Sequence, residues 1–123
     1  MTNATATKTD AFKMAQANEI WAQLTHGGRN RQMTWCWGLD LSTRVGGADE
    51  NDNAFLMFKV NGAGFKGKVK IILTVNDDYT VEFWKMGRKA GVMQGTLVHT
   101  IEDLYGDNMT ECIDRFVEGG KKD

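Results

Sequence analysis

The sequence predicts an α+β domain, with an antiparallel sheet of four or five strands and an N-terminal and a C-terminal helix packed on one face. The first observation is the stretch Lys68–Arg88, in which alternating apolar and polar residues flank Asn76-Asp77-Asp78. This pattern is typical of an antiparallel hairpin. The second observation is that the stretches before and after the strand-forming region carry apolar residues at helical spacing.

The composition is that of one globular domain. The chain has 123 residues, of which 41% are apolar and 25% charged, and we expect a single domain over 9–119 with flexible tails at 1–8 and 120–123. A net charge of −1 disfavours bulk attraction to nucleic acid or to an anionic membrane. No apolar run approaches the ~20 residues of a membrane-spanning helix, and no secretory signal is evident. A cytoplasmic location is therefore expected.

The first predicted element is a helix from about Asp10 to Thr25, capped by Thr7 or Thr9 and ended by Gly27-Gly28. Residues 29–32 are predicted to form a short basic connector. The helix residues expected to face the sheet are Met14, Ala17, Ile20, Trp21 and Leu24.

Strands are predicted next. Met33–Leu41 alternates strictly, with Trp35 and Trp37 on the apolar side, and predicts a strand with both indoles in the core. Residues 42–53 are polar and predict a mobile loop. Ala54–Val60 predicts a second strand, and a glycine-rich connection follows it.

The central hairpin pairs Val69–Val75 with Tyr79–Met86. Its apolar face is predicted to carry Val69, Ile71, Leu73 and Val75, continued by Tyr79, Val81 and Phe83. The opposite face is mixed, since Ile72, Trp84 and Met86 stand among polar residues. We therefore expect something to cover part of that face.

The last elements are a fifth strand over Met93–His99 and a helix over Asp107–Glu118. Thr100 and Asp103 resemble a capping box, with a break or restart at Gly106-Asp107. The apolar stripe of this helix is Met109, Cys112, Ile113 and Phe116.

One motif resembles a phosphate-binding loop. Gly62–Gly67 reads G-x-G-x-x-G, but a dinucleotide site requires a helix directly after the last glycine, and a strand is predicted here. Two interpretations stay open. The segment is either a flexible hairpin loop or a nest of backbone amides that binds an anion.

No metal, cofactor or catalytic centre is expected. The soft ligands His26, His99, Cys36 and Cys112 are dispersed and have no zinc spacing. Ser42, the only serine, lacks a nucleophile elbow. The cysteines are expected to be small apolar fillers, with Cys112 buried, and the protein is expected not to be an enzyme.

Two sets of residues are candidates for binding a protein. The first is an acidic strip on the last helix, Asp107, Glu111, Asp114 and Glu118, which either is a solvated face or docks on a basic partner. The second is the mixed hairpin face with Ile72, Trp84 and Met86, which is typical of an interface with another protein or with a second copy of the chain.

An alternative site lies on the basic side of the hairpin. Lys68, Lys70, Lys85 and Arg88 would hold phosphate while Trp84 stacks on a base, which would make a nucleotide or nucleic-acid module. Lysines also protect edge strands from aggregation, so a soluble hairpin explains them equally well. The neutral total charge makes nucleic acid the less favoured partner.

The last third of the chain resembles short proteins of phages and mobile elements. The residues that carry the resemblance are Tyr79–Lys85, Ile101–Asp107 and Ile113-Asp114-Arg115. That group includes anti-defence factors, which block host immune proteins or sequester their nucleotide signals. Most proteins of that group have no assigned function, and the resemblance implies the anti-defence class as one option and no particular ligand. Together with the acidic strip and the mixed hairpin face, it leads us to expect a non-enzymatic inhibitor that binds a host protein, with the nucleotide or nucleic-acid module as the alternative.

Overall fold

A computed structural model describes residues 3–48, 51, 53–74, 76–106 and 108–119. Within these residues the chain forms helices and strands in the order helix–helix–sheet–helix. Their bounds are α1 Asn3–Leu24, α2 Gly27–Cys36, β1 Asp40–Ala48, β2 Ala54–Asn61, β3 Lys66–Leu73, β4 Tyr79–Lys89, β5 Val92–Leu104 and α3 Met109–Gly119.

The strands form one antiparallel sheet in the order β1-β2-β3-β4-β5, so every strand pairs with its neighbours in sequence. The central hairpin pairs β3 with β4 as predicted, with Val69 opposite Phe83 and Ile71 opposite Val81. β3 ends at Leu73, earlier than the predicted Val75. Irregularities in the β4–β5 pairing lie between Tyr79 and Val81 and between Phe83 and Trp84. The prediction of an α+β domain with a five-stranded antiparallel sheet is confirmed.

The core lies between one face of the sheet and the helices α1 and α3. The predicted apolar side of the hairpin is buried there, since Val69, Ile71, Val81 and Phe83 are each 0% exposed; Val75 lies outside the described residues. From the helices, the core takes Ile20, Leu24, Met109, Ile113, Phe116 and Val117. Of the helix residues predicted to face the sheet, Met14 lies at the margin of the core: it is 46% exposed, but its sulfur would lie 3.4 Å from a Cβ atom on Gly46 of β1.

The predicted strand over Met33–Leu41 is wrong. Residues up to Cys36 belong to the helix α2, and the strand begins only at Asp40. Met33 and Trp37 are four residues apart, a spacing that a helix and an alternating strand both place on one face. Trp37 is buried as predicted, but Trp35 is 82% exposed instead of in the core.

The loop predicted for 42–53 is also wrong, because β1 runs to Ala48. The residues of β1 are polar and rich in glycine, so their composition does not indicate a strand. The strand forms by hydrogen bonding to the edge of β2. Gly46 lies against α1, and a Cβ atom there would stand 2.8 Å from the Cβ of Ala17. A larger residue would therefore push the helix away from the sheet.

Helix and strand ends differ in smaller ways. α1 begins at Asn3, earlier than predicted, and α2 starts at Gly27, where we expected a stop and a connector. Met93–His99 is a strand as predicted, within the longer β5, whereas Thr100 and Asp103 belong to β5 and do not cap a helix. None of the described helices is long and apolar enough to cross a bilayer.

Candidate binding face

The face of the sheet that points away from the core carries the mixed residues of the hairpin. Cross-strand partners share a face of a sheet, and the register places Lys68 opposite Trp84 and Lys70 opposite both Met57 and Glu82. We call this surface the open face. Its members are Val45, Phe55, Met57, Lys68, Lys70, Ile72, Glu82, Trp84, Met86 and Leu97.

A shallow depression of about 400 Å³ lies in the open face. All of its lining residues come from strands, and every strand of the sheet contributes at least one. They are Ala48, Phe55, Met57, Lys68, Lys70, Trp84, Met86 and Gly95. Among the described residues, therefore, no helix forms part of its wall.

The aromatic rings of the open face are held by polar neighbours. The Nζ atom of Lys70 lies 5.1 Å from the centroid of the Phe55 ring, a cation–π contact. The indole N–H of Trp84 donates a hydrogen bond of 3.1 Å to Oε1 of Glu82. Phe55 and Trp84 are both half-buried, so part of each side chain is exposed to solvent.

The two lysines of the depression carry unbalanced charge. Among the described side chains, no carboxylate lies within salt-bridge distance of Lys68 or Lys70. Glu82 faces Lys70 across the β3–β4 pair, but its carboxylate accepts the hydrogen bond from Trp84 instead. The open face thus combines apolar area with positive charge.

The structure brings together part of the predicted phosphate site. Lys68, Lys70 and Trp84 line one depression. Lys85 follows Trp84 in β4, so alternation turns it to the other side of the strand, where it is exposed. The backbone of Arg88 pairs with Met93 beyond the depression, and its side chain lies outside those described.

The acidic strip of α3 is largely engaged within the chain. Asp114 accepts a hydrogen bond of 2.9 Å from the indole of Trp37, and Glu118 accepts one of 3.2 Å from the amide of Ala63. Glu111 is about half exposed and lies 3.8 Å from Arg115. Asp107 lies outside the described residues. Of the described members of the strip, Glu111 is the one that faces solvent.

The predicted protein-binding residues belong to two separate surfaces. Ile72, Trp84 and Met86 lie on the open face, but Ile72 is only 8% exposed and does not line the depression. The acidic strip lies on α3, on the helical side of the sheet. Phe55 and Met57, which also line the depression, were not among the predicted site residues. Their signal was the run AFLMF in β2, which is apolar at successive positions and so predicts apolar side chains on both faces.

The glycine-rich loop uses its amides to end α3. The amides of Gly64 and Phe65 donate to the carbonyl oxygen of Val117 at 2.7 and 2.9 Å, and the Ala63 amide donates to Glu118. Val117 would otherwise present an unpaired carbonyl at the helix C-terminus. Because the chain's own acceptors already occupy these amides, the structure favours a packed loop over an anion-binding nest.

The soft ligands stay dispersed. Cys36 is exposed on α2, and Cys112 is half-buried on α3. The ring of His99 packs against Phe83 and Phe116, at 5.8 and 4.7 Å from their centroids. Among the side chains that the structure describes, no group of three or more His, Cys, Asp or Glu residues is placed to hold a metal ion.

Comparison with protein-family models, with curated proteins and with solved structures finds no match to this chain. The function is therefore inferred from the two surfaces described above. The open face is the surface on which the largest number of predicted site residues come together.

Proposed function

We propose that this chain is a non-enzymatic binding protein that docks a protein partner on its open face. The observation that carries the proposal is the mixture of Phe55, Met57, Trp84 and Met86 in one solvent-facing depression. Aromatic residues and methionine are enriched in protein interfaces, and apolar clusters at a protein surface commonly mark such sites. The resemblance of the last third to phage and mobile-element proteins supports a host protein as the partner and inhibition as the outcome.

The charge of the open face favours a partner with carboxylates. Burying Lys68 and Lys70 without an opposite charge would cost free energy, because desolvated charges must be paired. A second copy of the chain would bring the same lysines toward each other. We therefore propose an acidic, apolar surface on a different protein, with a homodimer as the competing outcome.

The test is differential capture of a partner. The chain is immobilised and exposed to bacterial lysate beside three variants: Trp84→Ala, Lys70→Glu and, as a control on the other side of β4, Lys85→Glu. The expected partner is held by the unmodified chain and by Lys85→Glu and is lost by the other two. Circular dichroism and urea unfolding establish that each variant is folded.

The captured protein is then purified and its affinity measured by calorimetry. Truncating a central aromatic anchor commonly costs 2 kcal/mol or more, so Trp84→Ala should weaken Kd about 30-fold. Equal affinity for all four chains would refute docking on the open face. Light scattering of the unmodified chain, at concentrations on either side of the working range, separates a homodimer from a monomer.

The second candidate function is binding of a nucleotide or of single-stranded nucleic acid. It is favoured by one observation: Lys68 lies directly opposite Trp84, so a cation and an indole stand side by side. A base stacked on the indole would place its phosphate near the lysine. Tryptophan fluorescence is titrated with nucleotides and single-stranded DNA at two salt concentrations, because counterion release weakens such binding steeply with salt. Silence for every ligand favours the protein-binding function.

The acidic strip remains a proposed contact for a basic partner, now centred on Glu111. Reversing the charge at Asp114 would also remove the hydrogen-bond acceptor of the Trp37 indole. A loss of binding could then not be distinguished from a loss of folding. The informative variant is Glu111→Lys, since this side chain is about half exposed and holds one surface ion pair. A partner whose affinity is the same with Glu111→Lys does not use the strip.

A further inference from the structure

We infer that a second pocket, between α1 and α2, binds a peptide segment in which an aromatic side chain stands next to a carboxylate. The pocket has a volume of about 210 Å³. Its lining residues are Trp21, Thr25, Arg31, Thr34, Trp35 and Leu39. The Trp21 ring meets the core residue Phe58 edge-on at 6.3 Å, so the pocket lies on the helical side of the sheet, away from the open face.

Two indoles give the pocket its apolar walls. Tryptophan is the largest side chain, yet Trp35 is 82% exposed on the regular helix α2. The fold therefore does not require an indole at this position. A single exposed apolar residue needs no explanation. Here, however, the exposed indole borders a concavity that a second indole also lines, and tryptophan is among the residues that contribute most to binding.

Positive charge stands beside these walls. Arg31 precedes Trp35 by four residues and therefore shares its face of α2, and the part of the chain that the structure describes places no carboxylate within salt-bridge distance of it. The guanidinium carbon of Arg44 lies 5.2 Å from the centroid of the Trp21 ring. The walls thus favour an apolar ring, and the adjacent cations favour an anion.

The hydroxyl groups that line the pocket do not donate hydrogen bonds to an anion, so the arginine is the donor. Thr25 donates its hydroxyl proton to the carbonyl of Trp21 at 2.9 Å, and Thr34 donates its own to the carbonyl of Arg31 at 2.8 Å. With their protons committed, these oxygens can only accept hydrogen bonds. A guanidinium binds a carboxylate through paired N–H donors, which makes Arg31 the group that selects the anion.

The volume of the pocket fits a single side chain better than a cofactor. Sites for drug-sized molecules commonly span roughly 300–1,000 Å³, and 210 Å³ lies below that range. A single aromatic ring suits the space between the indoles. The occupant is therefore one anchor residue of a longer peptide, with the rest of the peptide outside the pocket.

The experiment follows the indole N–H signals of the ¹⁵N-labelled chain by NMR. The probes are N-acetyl-phenylalanine, its neutral amide, and the capped peptide Ac-Ala-Asp-Phe-Asp-Ala-NH₂. We expect saturable shifts of the Trp21 and Trp35 signals with the acid and tighter binding of the peptide. The amide should bind about tenfold more weakly or worse, because a charge-assisted hydrogen bond contributes at least that factor.

Variants separate this site from its alternatives. Arg31→Gln should erase the difference between acid and amide, Trp35→Ala should abolish saturation, and the exposed α2 variant Gln32→Ala should change neither. Equal affinity for acid and amide in the unmodified chain would overturn the proposal, as would shifts confined to Trp84. A peptide no tighter than N-acetyl-phenylalanine would overturn the peptide assignment in favour of small aromatic acids. Trp84→Ala should leave this binding intact, so the outcome is independent of the open face.

Discussion

The indole of Trp37 and the carboxylate of Asp114 form a hydrogen bond of 2.9 Å that joins positions 77 residues apart. Trp37 is fully buried at the end of α2 and stacks on Phe58, with 6.4 Å between ring centroids. Asp114 lies on α3. The bond therefore holds α3 against the C-terminal end of α2 and satisfies the one polar atom of a buried indole.

Removing this acceptor should destabilise the fold. Asp114→Ala leaves the indole N–H buried without a partner, which costs about 1–3 kcal/mol. Asp114→Asn retains an oxygen acceptor and should lose less. The free energy of unfolding, measured by urea titration with tryptophan fluorescence, gives both values.

The matched control is Glu111→Ala on the same helix. Its ion pair with Arg115 is solvent-exposed, and such pairs contribute at most about 1 kcal/mol. If Asp114→Ala is no more destabilising than Glu111→Ala, the indole bond does not hold α3.

The sheet could be predicted from sequence where a single periodicity governs both strands. In the central hairpin the core side alternates without interruption, so the common face of Val69 and Phe83 followed from the pattern, whereas their pairing opposite each other did not. At 33–41 the pattern was ambiguous, because a spacing of four residues satisfies a helix and a strand alike. Trp35 decides between them, since a strand would bury it and the helix α2 exposes it.

The candidate site was predictable only in part. The mixed face of the hairpin already placed Ile72, Trp84 and Met86 together, because one strand and its partner fix their common side. The pairing of β2 with β3, which adds Phe55 and Met57, depends on a contact between strands joined by a loop of unknown path. The hydrogen-bond partners of Asp114 and Glu118 lie 77 and 55 positions away in sequence, and no local sequence pattern predicts them.

Gly62→Ala should destabilise the chain. A Cβ atom at this position would stand 2.4 Å from Cγ1 and 2.6 Å from the carbonyl oxygen of Val117. Relief of that overlap must move the loop or α3, and overpacking of this kind typically costs about 1–3 kcal/mol. Urea unfolding measures the loss.

Gly28→Ala provides a control of opposite sign. Gly28 lies in α2, and a Cβ atom there would meet nothing within 4 Å. In a helix interior alanine is favoured over glycine by about 1 kcal/mol. Gly28 is the second residue of α2, so this variant should be more stable than the unmodified chain by less than that amount. Similar effects of the two substitutions would contradict the close packing of Gly62 on α3.

The cysteines should differ in reactivity toward a thiol reagent. Cys36 is exposed and should be modified rapidly in the native protein. Cys112 is half-buried and packs against the core, so it should react more slowly than Cys36 until the protein unfolds. Intact mass spectrometry counts the labels with time. The variant Cys36→Ser should remove the fast label, and rapid labelling that persists in it would show that Cys112 is accessible.

Ionisation of Tyr79 should lower the free energy of unfolding at high pH. Burial first, and then the carboxylates of Glu19 and Asp77, raise the pKa of its phenol above the ordinary value of about 10. As the pH rises past about 10, the unfolded chain releases the phenol proton before the folded chain does. Stability that is fully present below that pH is therefore lost as the pH approaches the folded pKa.

The ionisation of the Tyr79 phenol is measured in the variant Tyr105→Phe, which leaves Tyr79 as the one tyrosine of the chain. Absorbance near 295 nm should give a midpoint above 10. Urea unfolding at pH 9 and pH 11 should then show a smaller decrease in the free energy of unfolding for Tyr79→Phe than for Tyr105→Phe, because phenylalanine carries no proton to release. Equal decreases in the two variants would mean that Tyr79 ionises in the folded protein as readily as in the unfolded chain.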